Sequence, residues 1–153
     1  MKKLYLVLLF LFSSNIFAQT LTETTFESQF DDQKIVLNTQ VQWVFFSASK
    51  NGSEIMRDAF EDLKVDEKWL LKNKAIYVAD IHNMPSLIAR FFALPKMRDY
   101  LYPIALDKEG DVTDKWLEKG EGVTIYQLNN LNTVKTTKLN DLKSLTKFLN
   151  KNF

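Results

Sequence analysis

The sequence contains no cysteine, one histidine, three prolines and only four glycines among 153 residues. Without cysteine, the chain cannot form disulfides, be lipidated at an N-terminal cysteine, or perform thiol redox chemistry on its own. A single histidine with no second nitrogen or sulfur ligand is poor evidence for a metal site. Four glycines cannot supply a glycine-rich loop for a dinucleotide pyrophosphate. Several familiar kinds of catalytic centre are therefore excluded at the outset.

The first 18 residues have the layout of a secretory signal peptide. Lys2 and Lys3 give a charged start, Leu4–Phe12 is an unbroken apolar run, and a stretch of small residues ends at Ala18. The apolar run is too short to span a bilayer as a helix. We therefore expect export to the periplasm with cleavage after Ala18. A buried N-terminal helix or a retained anchor is the alternative.

The mature chain, residues 19–153, is expected to be a single domain that buries a core without disulfides. Once Lys2 and Lys3 are removed from the 20 basic residues, 18 remain against 19 acidic residues. Such a balance gives no overall positive potential that would attract nucleic acid or an anionic membrane. We expect no nucleic-acid partner, and a protein that is not integral to the membrane after cleavage.

The remaining sequence alternates strand and helix signals. Val41–Phe46 is the strongest strand candidate, and the polar stretch Ser47–Gly52 follows it as a loop ending in an Asn-Gly turn. Ser53 is a good N-cap for a helix over 54–63, and Ala75–Ala79 is the next buried strand. Further predictions are a β-ribbon around Asp31–Gln33, a short helix capped by Asp66, a strand over Tyr102–Leu106, a hairpin of 123–128 with 133–138, and a last helix capped by Asn140 or Asp141.

Another helix is predicted to be capped by Asn83, with Pro85 tolerated in its first turn, and to stop at Pro95. Its spacing places one group of apolar side chains on the buried face: Met84, Leu87, Ile88, Phe91 and Phe92. The order of elements predicts an α/β fold with a mixed central sheet, a parallel part, a C-terminal antiparallel hairpin and helices on both faces.

Three stretches resemble the thioredoxin-like superfamily, and its redoxin or peroxiredoxin branch in particular. They are Phe26–Leu37, Trp43–Ala48 and Tyr102–Gly110, which resemble that branch's N-terminal ribbon, the strand before its reactive cysteine, and a strand ending in an Asp-x-x-Gly turn. This resemblance implies a three-layer sandwich. It also implies a cysteine at or beside Asn51–Glu54 and a cis-proline before the final hairpin, where the sequence has Glu121-Gly122-Val123. Both catalytic elements are absent, unless Pro103 takes the proline's place.

The segment Phe92–Tyr100 is also similar to small exported bacterial proteins that are sometimes labelled FAD/FMN-containing dehydrogenases. No Gly-x-Gly-x-x-Gly motif follows a strand in this sequence, so we predict no cofactor.

Three loops after the parallel strands, Ser47–Ser53, Asp80–Asn83 and Asp107–Asp111, are expected to meet at one edge of the sheet, facing Glu118–Gly122, where ligands of such folds bind. The candidate residues for a ligand or partner are Ser49, Lys50, Asn51, Ser53, Asp80 and His82. His82 could act as a general base or, with Asp80, hold a metal. The alternatives are a solvated turn, an N-cap, and a histidine that only caps the next helix.

A second surface cluster comprises Lys96, Arg98, Asp99 and Tyr100, followed by Tyr102. Arg98 could bind a carboxylate or phosphate, or it could pair with Asp99 and fix the crossover loop. This loop should lie at the opposite edge of the sheet from Ser49.

The sequence thus predicts a periplasmic, cysteine-free thioredoxin-like protein that binds an unknown periplasmic protein or a small ligand without redox chemistry. The absence of cysteine excludes thiol–disulfide oxidoreductase and peroxidase activity by a thiol. A non-thiol enzyme, in particular a flavin-associated oxidoreductase, is the first alternative, and a structural subunit is the second.

Overall fold

The computed structural model describes residues 18–153, so nearly all of the predicted signal peptide lies outside the described residues and stays a prediction. The described residues form one seven-stranded mixed sheet with the strand order β2-β1-β5-β4-β3-β6-β7. β3, β4 and β5 are parallel to one another, and the other pairs are antiparallel. The strands are β1 (Thr24–Ser28), β2 (Lys34–Leu37), β3 (Trp43–Ser47), β4 (Ala75–Asp80), β5 (Ala105–Asp107), β6 (Val123–Asn129) and β7 (Asn132–Leu139).

This arrangement confirms the predicted α/β class, the N-terminal ribbon and the C-terminal hairpin. The central strand is shifted: Val41 and Gln42 precede β3, which extends to Ser47. The predicted strand over Tyr102–Leu106 is shorter, because regular pairing begins only at Ala105.

Alternating side chains of the central strands fill two separate cores. Phe45 and Tyr77 face one core, whereas Val44, Phe46 and Val78 face the other. All five are buried, which explains why these strands are apolar on both faces. The sheet is therefore covered on both sides.

The α-helices contribute their buried side chains to the first core only. They are α1 (Lys50–Asp62), α2 (Glu67–Lys72), a composite helix α3 described below, and α4 (Leu142–Asn152). The second core is covered by Leu21, by Trp116 and by the 3₁₀ helix Thr113–Lys115. Asp66 and Asp141 cap α2 and α4 as predicted. Within residues 18–153, no helix is both long enough and apolar enough to cross a membrane.

Helix α3 differs most from its prediction. It consists of α-helical Ser86–Ile88, a π-helical segment Ala89–Ala93 and α-helical Leu94–Met97, so Pro95 does not stop it. Proline lacks an amide N–H and its ring crowds the carbonyl four residues back. The wider π turns before Pro95 are a known way to accommodate such a break in the hydrogen-bond ladder.

The orientation of α3 also contradicts the predicted buried face. Ala93, Leu94 and Met97 pack against the first core. Met84 is partly buried, whereas the other four residues of the predicted buried face are exposed, namely Leu87, Ile88, Phe91 and Phe92. Asn83 does not cap the helix either, because the N-cap position is Pro85 and makes no side-chain hydrogen bond.

Candidate functional site

The first predicted site lies at the edge where β3, β4 and β5 end and the antiparallel β6 begins. The register pairs Ser47 with both Ala79 and Val123, and pairs Asp80 with Asp107. The residues after β3 and those after β4 therefore share one edge of the sheet. Ligands of open α/β sheets bind at the corresponding edge.

Helix α1 begins earlier than predicted, at Lys50, and its N-cap is Ser49 rather than Ser53. The Gly52 amide donates a hydrogen bond of 2.9 Å to Ser49 Oγ. Asn51 and Gly52 are therefore helical, and the predicted turn at this pair is wrong. The start of the helix, where its dipole and free amides are concentrated, lies at Ser49. This is two residues before the stretch in which the resemblance placed a cysteine.

Ser53 belongs to a buried chain of hydroxyl groups below the first turn of α1. Ser47 Oγ lies 3.1 Å from Ser53 Oγ and 2.7 Å from the Tyr77 hydroxyl. Burial raises the pKa of Tyr77, while its hydrogen bonds with Ser47 and Ser53 act in the opposite direction. Tyr77 is therefore a neutral phenol at physiological pH, and the three hydroxyls satisfy one another inside the protein.

The start of α1 is packed directly against the segment that leads into β6. Ser49 Oγ donates a hydrogen bond to the Glu121 carbonyl. A Cβ added at Gly52 would lie 3.0 Å from the Gly122 carbonyl carbon, and closer still to its oxygen. A Cβ at Gly122 would lie 2.6 Å from Asn140 Oδ1 and 2.9 Å from Asn140 Cα. Neither glycine position has room for a side chain, so the two segments are closed onto each other.

The second half of the edge is organised by two carboxylates. The side chain of Asp80 is only 4% exposed. Its Oδ1 accepts a hydrogen bond of 3.1 Å from the His82 amide and lies 2.6 Å from His82 Nδ1. Its other oxygen accepts a 2.9 Å hydrogen bond from Thr113 Oγ1. Buried Asp107 accepts the amides of Gly110 and Thr113 at 2.9 and 2.8 Å. The carboxylates thus fix the loops after β4 and β5 to each other.

One ligand atom from each of Asp80, His82 and Asp114 falls within 4.8 Å of the others. The set would offer a cation one imidazole nitrogen and two carboxylate oxygens. However, His82 and Thr113 already engage both oxygens of Asp80. Hydrogen bonds account for the positions of Asp80 and His82, and Asp114 pairs with Lys119 at 3.8 Å, so we assign no metal to this set.

The Asp80–His82 contact gives a testable pH dependence. The hydrogen bond that His82 Nδ1 donates to the Asp80 carboxylate raises the pKa of His82 above its ordinary value of 6.5. A raised folded-state pKa means that protonation of His82 stabilises the fold below about pH 6.5, and that this stabilisation is lost as the pH rises through the folded-state pKa. Because His82 is the only histidine, its imidazole signals can be followed directly by NMR. We expect a pKa above 6.5 that falls in Asp80→Asn; equal pKa values in the two proteins would contradict the assignment.

The second predicted cluster, at Lys96–Tyr100, does not form one site. Arg98 Nε donates a hydrogen bond to the Gln29 carbonyl at 3.0 Å, and its Nη2 lies 2.6 Å from Asp31. Arg98 therefore fixes the turn between β1 and β2, and the predicted pairing with Asp99 is wrong. Lys96 and Asp99 are exposed, whereas Tyr100 stacks on Tyr102 with a centroid separation of 5.4 Å. This loop precedes β5, at the opposite edge from Ser49, as predicted.

Gln29 is the most important residue that the sequence did not reveal. Its buried side-chain amide donates to the carbonyls of Met97 and Tyr102 at 3.2 and 2.8 Å. Its side-chain carbonyl accepts the amide of Ile104 at 2.8 Å. The segment between α3 and β5 is irregular, and the side chain of Gln29 makes the hydrogen bonds that a neighbouring strand would otherwise supply to it. No local pattern marks this role, because its partners lie about 70 residues away in the sequence.

A surface groove of about 280 Å³ lies near the opposite edge, lined by residues of β2, α2 and β4 that include Ile35, Leu70 and Ile76. None of the predicted ligand-binding residues lines it. The groove therefore offers no support for a small-molecule site at Ser49 or His82.

Comparison of the fold with solved structures gives consistent matches. The chain is similar to the exposed lipoprotein thioredoxin of Streptococcus pneumoniae, with a TM-score of 0.58, 16% identity, and coverage of 85% of this chain and 99% of that one. It is also similar to a candidate protein disulfide isomerase of Bacteroides thetaiotaomicron (TM-score 0.56, 18% identity, 87% of each chain). A peroxiredoxin-like protein of Aquifex aeolicus matches with a TM-score of 0.51, 11% identity, and coverage of 88% and 85%.

No protein-family model matches the sequence, and a search of curated proteins finds no significant match. The structural matches therefore show the fold alone. The fold is thioredoxin-like, as the resemblance implied, and it is built from a chain without cysteine.

Proposed function

We propose that this protein is an exported thioredoxin-like domain that acts by binding, without redox chemistry. The observation that carries the proposal is the closed contact between Gly52 and Gly122. A thiol gains a low pKa at the start of a helix, and here the start of α1 is the N-cap Ser49, whereas Asn51–Glu54, where the resemblance implies a cysteine, already lies within the helix. The hydroxyl of Ser49 is committed to the Glu121 carbonyl.

The two glycines exclude the elements that thiol catalysis would need. A second thiol three residues after Ser49 would require a side chain at Gly52, where the Gly122 carbonyl leaves no room. A proline before β6 would require ring atoms at Gly122, where Leu139 and Asn140 leave none. This edge of the sheet therefore differs from one that supports thiol catalysis in its packing as well as in its residue types.

A binding role fits the groups that remain accessible. Lys50 and Asn51 are exposed in the first turn of α1, and His82 is exposed on the same edge of the sheet. Binding by such polar groups on a rigid scaffold needs neither a cofactor nor a metal. Export is supported by the signal-peptide layout of residues 1–18.

The proposal is tested by turnover assays on protein that begins at Gln19. We expect rates indistinguishable from buffer in the reduction of insulin disulfides by dithiothreitol and in the consumption of hydrogen peroxide. The purified protein should also lack the visible absorbance of a flavin. Turnover in either assay, or a flavin released on denaturation, would contradict a purely binding function.

A further inference from the structure

Helix α3 exposes an apolar ridge along its outer side. Leu87, Ile88, Phe91 and Phe92 are 67%, 46%, 60% and 67% exposed, respectively. These four exposed side chains lie within six consecutive residues of one helix, so they form a strip along its solvent side. The small side chains of Ala89 and Ala93 in the same helix are partly buried. An apolar patch of this kind on a folded protein marks a surface that contacts a protein or a membrane.

The charged side chains of α3 and its C-cap are all cations, and the first carboxylate after them is Asp99. Residues 83–98 contain three charged side chains, and all three are cations. Arg98 is engaged by Asp31 and Gln29, whereas Arg90 and Lys96 are exposed. The Arg90 guanidinium lies 5.5 Å from the centre of the Phe91 ring, which holds it beside the ridge.

From this combination we propose that α3 binds an anionic lipid surface. An interfacial helix buries its apolar face, rich in Phe and Leu, at the boundary of headgroups and acyl chains while basic side chains contact anionic headgroups. Each lysine or arginine near such a surface strengthens the attraction to anionic headgroups. Leu87, Ile88, Phe91 and Phe92 would enter the interface, and Arg90 and Lys96 would contact phosphate groups.

The same charges disfavour a second copy of the chain as the occupant. In a symmetric pair of α3 helices, the same patch meets itself across the two-fold axis. Arg90 and Lys96 of one copy would then face the same cations of the other, with no carboxylate from α3 between them. Like charges brought together in this way oppose association. An anionic surface complements the patch, whereas a copy of it does not.

This inference names a partner for the proposed binding function, but it uses a different surface and needs no residue of the Ser49 edge. The net charge of the whole chain is close to zero. This does not oppose lipid binding, because salt screens the interaction of exposed charges that lie more than about 10 Å apart. The cations that matter are those that flank the ridge. Failure of lipid binding would leave the turnover results of the previous section unchanged, so the two proposals fail separately.

The test is co-sedimentation with lipid vesicles, using protein that begins at Gln19 because the apolar run Leu4–Phe12 would itself bind lipid. We expect binding to vesicles of phosphatidylglycerol and phosphatidylethanolamine, weaker binding at high salt, and little binding to phosphatidylcholine. Phe91→Ser/Phe92→Ser should weaken binding at least about tenfold, because two exposed aromatic anchors are lost. The matched control is Leu71→Ser/Val134→Ser, which alters two side chains that are 71% and 50% exposed elsewhere.

The charge contribution is tested by Arg90→Glu/Lys96→Glu, with Lys143→Glu/Lys147→Glu on α4 as its control. We expect the first pair to abolish the preference for anionic lipid and the second to preserve it. All altered side chains are exposed, so the variants should remain folded, which circular dichroism verifies. Equal binding to both kinds of vesicle, no binding, or a wild-type dimer in solution that becomes monomeric in Phe91→Ser/Phe92→Ser would overturn the proposal.

Discussion

Gly122→Ala is expected to lower the free energy of unfolding by about 3 kcal/mol or more, because the new methyl group has no space. Its Cβ would lie 2.6 Å from Asn140 Oδ1 and 2.9 Å from Asn140 Cα, and closer still to the Leu139 carbonyl oxygen. Two of these three atoms are backbone and cannot move aside as the tip of a side chain can. Urea unfolding followed by circular dichroism measures the effect.

Gly120→Ala is the matched control, two residues earlier in the same segment. A Cβ at Gly120 meets only Lys138 Cδ and Cγ at 3.5 and 3.9 Å, which is ordinary van der Waals contact. Neither glycine has the left-handed φ that would itself penalise alanine. We expect Gly120→Ala to change stability by less than about 1 kcal/mol. Equal effects of the two substitutions would show that Gly122 is not closely packed and that the edge is open.

Gln29→Leu is the second substitution with a large expected effect. Leucine resembles glutamine in volume but leaves the Ile104 amide and the Met97 and Tyr102 carbonyls without their partner. An unsatisfied buried polar group costs about 1–3 kcal/mol, so three such groups predict a loss of about 3–9 kcal/mol. This is a large share of the total stability of an ordinary domain, which is about 5–15 kcal/mol. Thermal and urea unfolding should both report the loss.

The control for Gln29→Leu is Gln40→Leu, at an exposed position outside the strands. A surface substitution of this kind should change stability by no more than about 0.5 kcal/mol. A small effect at Gln29 would mean that water replaces its hydrogen bonds and that the segment before β5 is solvated. A loss of stability in Gln29→Leu but not in Gln40→Leu would instead establish that the Gln29 side chain connects the segment between α3 and β5 to the end of β1.

Much of the sheet could be predicted because its information is local. Val44, Phe45 and Phe46 form an uninterrupted apolar run, and all three are fully buried in β3. The final hairpin was also predictable, because two alternating segments flank a short polar turn. Buried strands and tight turns are specified by neighbours in the sequence.

The orientation of α3 could not be predicted in the same way. Its apolar residues cover more than one face, so periodicity alone does not decide which side packs inward. Ala93 and Leu94 occupy the inward side, and the π-helical turns before Pro95 change the angular spacing on which the prediction relied. Tertiary packing decided the orientation, and the exposed ridge is the result.

The candidate site was predicted in position but not in detail. Ser49 and Ser53 are equally good N-caps by residue type, and the choice between them depends on the contact with Glu121. Tyr77 and Gly122 were missed because their roles depend on contacts with distant segments. The edge of the sheet follows from strand order, whereas its closure depends on long-range packing.

The most direct test of the closed edge is to rebuild a pair of thiols at the start of α1. The variant Ser49→Cys/Gly52→Cys has the Cys-x-x-Cys spacing that lowers a thiol pKa at a helix N-terminus. We expect its urea midpoint to fall well below that of Ser49→Cys, which needs no new volume at Gly52, and we expect no insulin reduction by the double variant. A double variant that is as stable as Ser49→Cys and reduces insulin would show that the edge is open to redox chemistry, and would contradict the account.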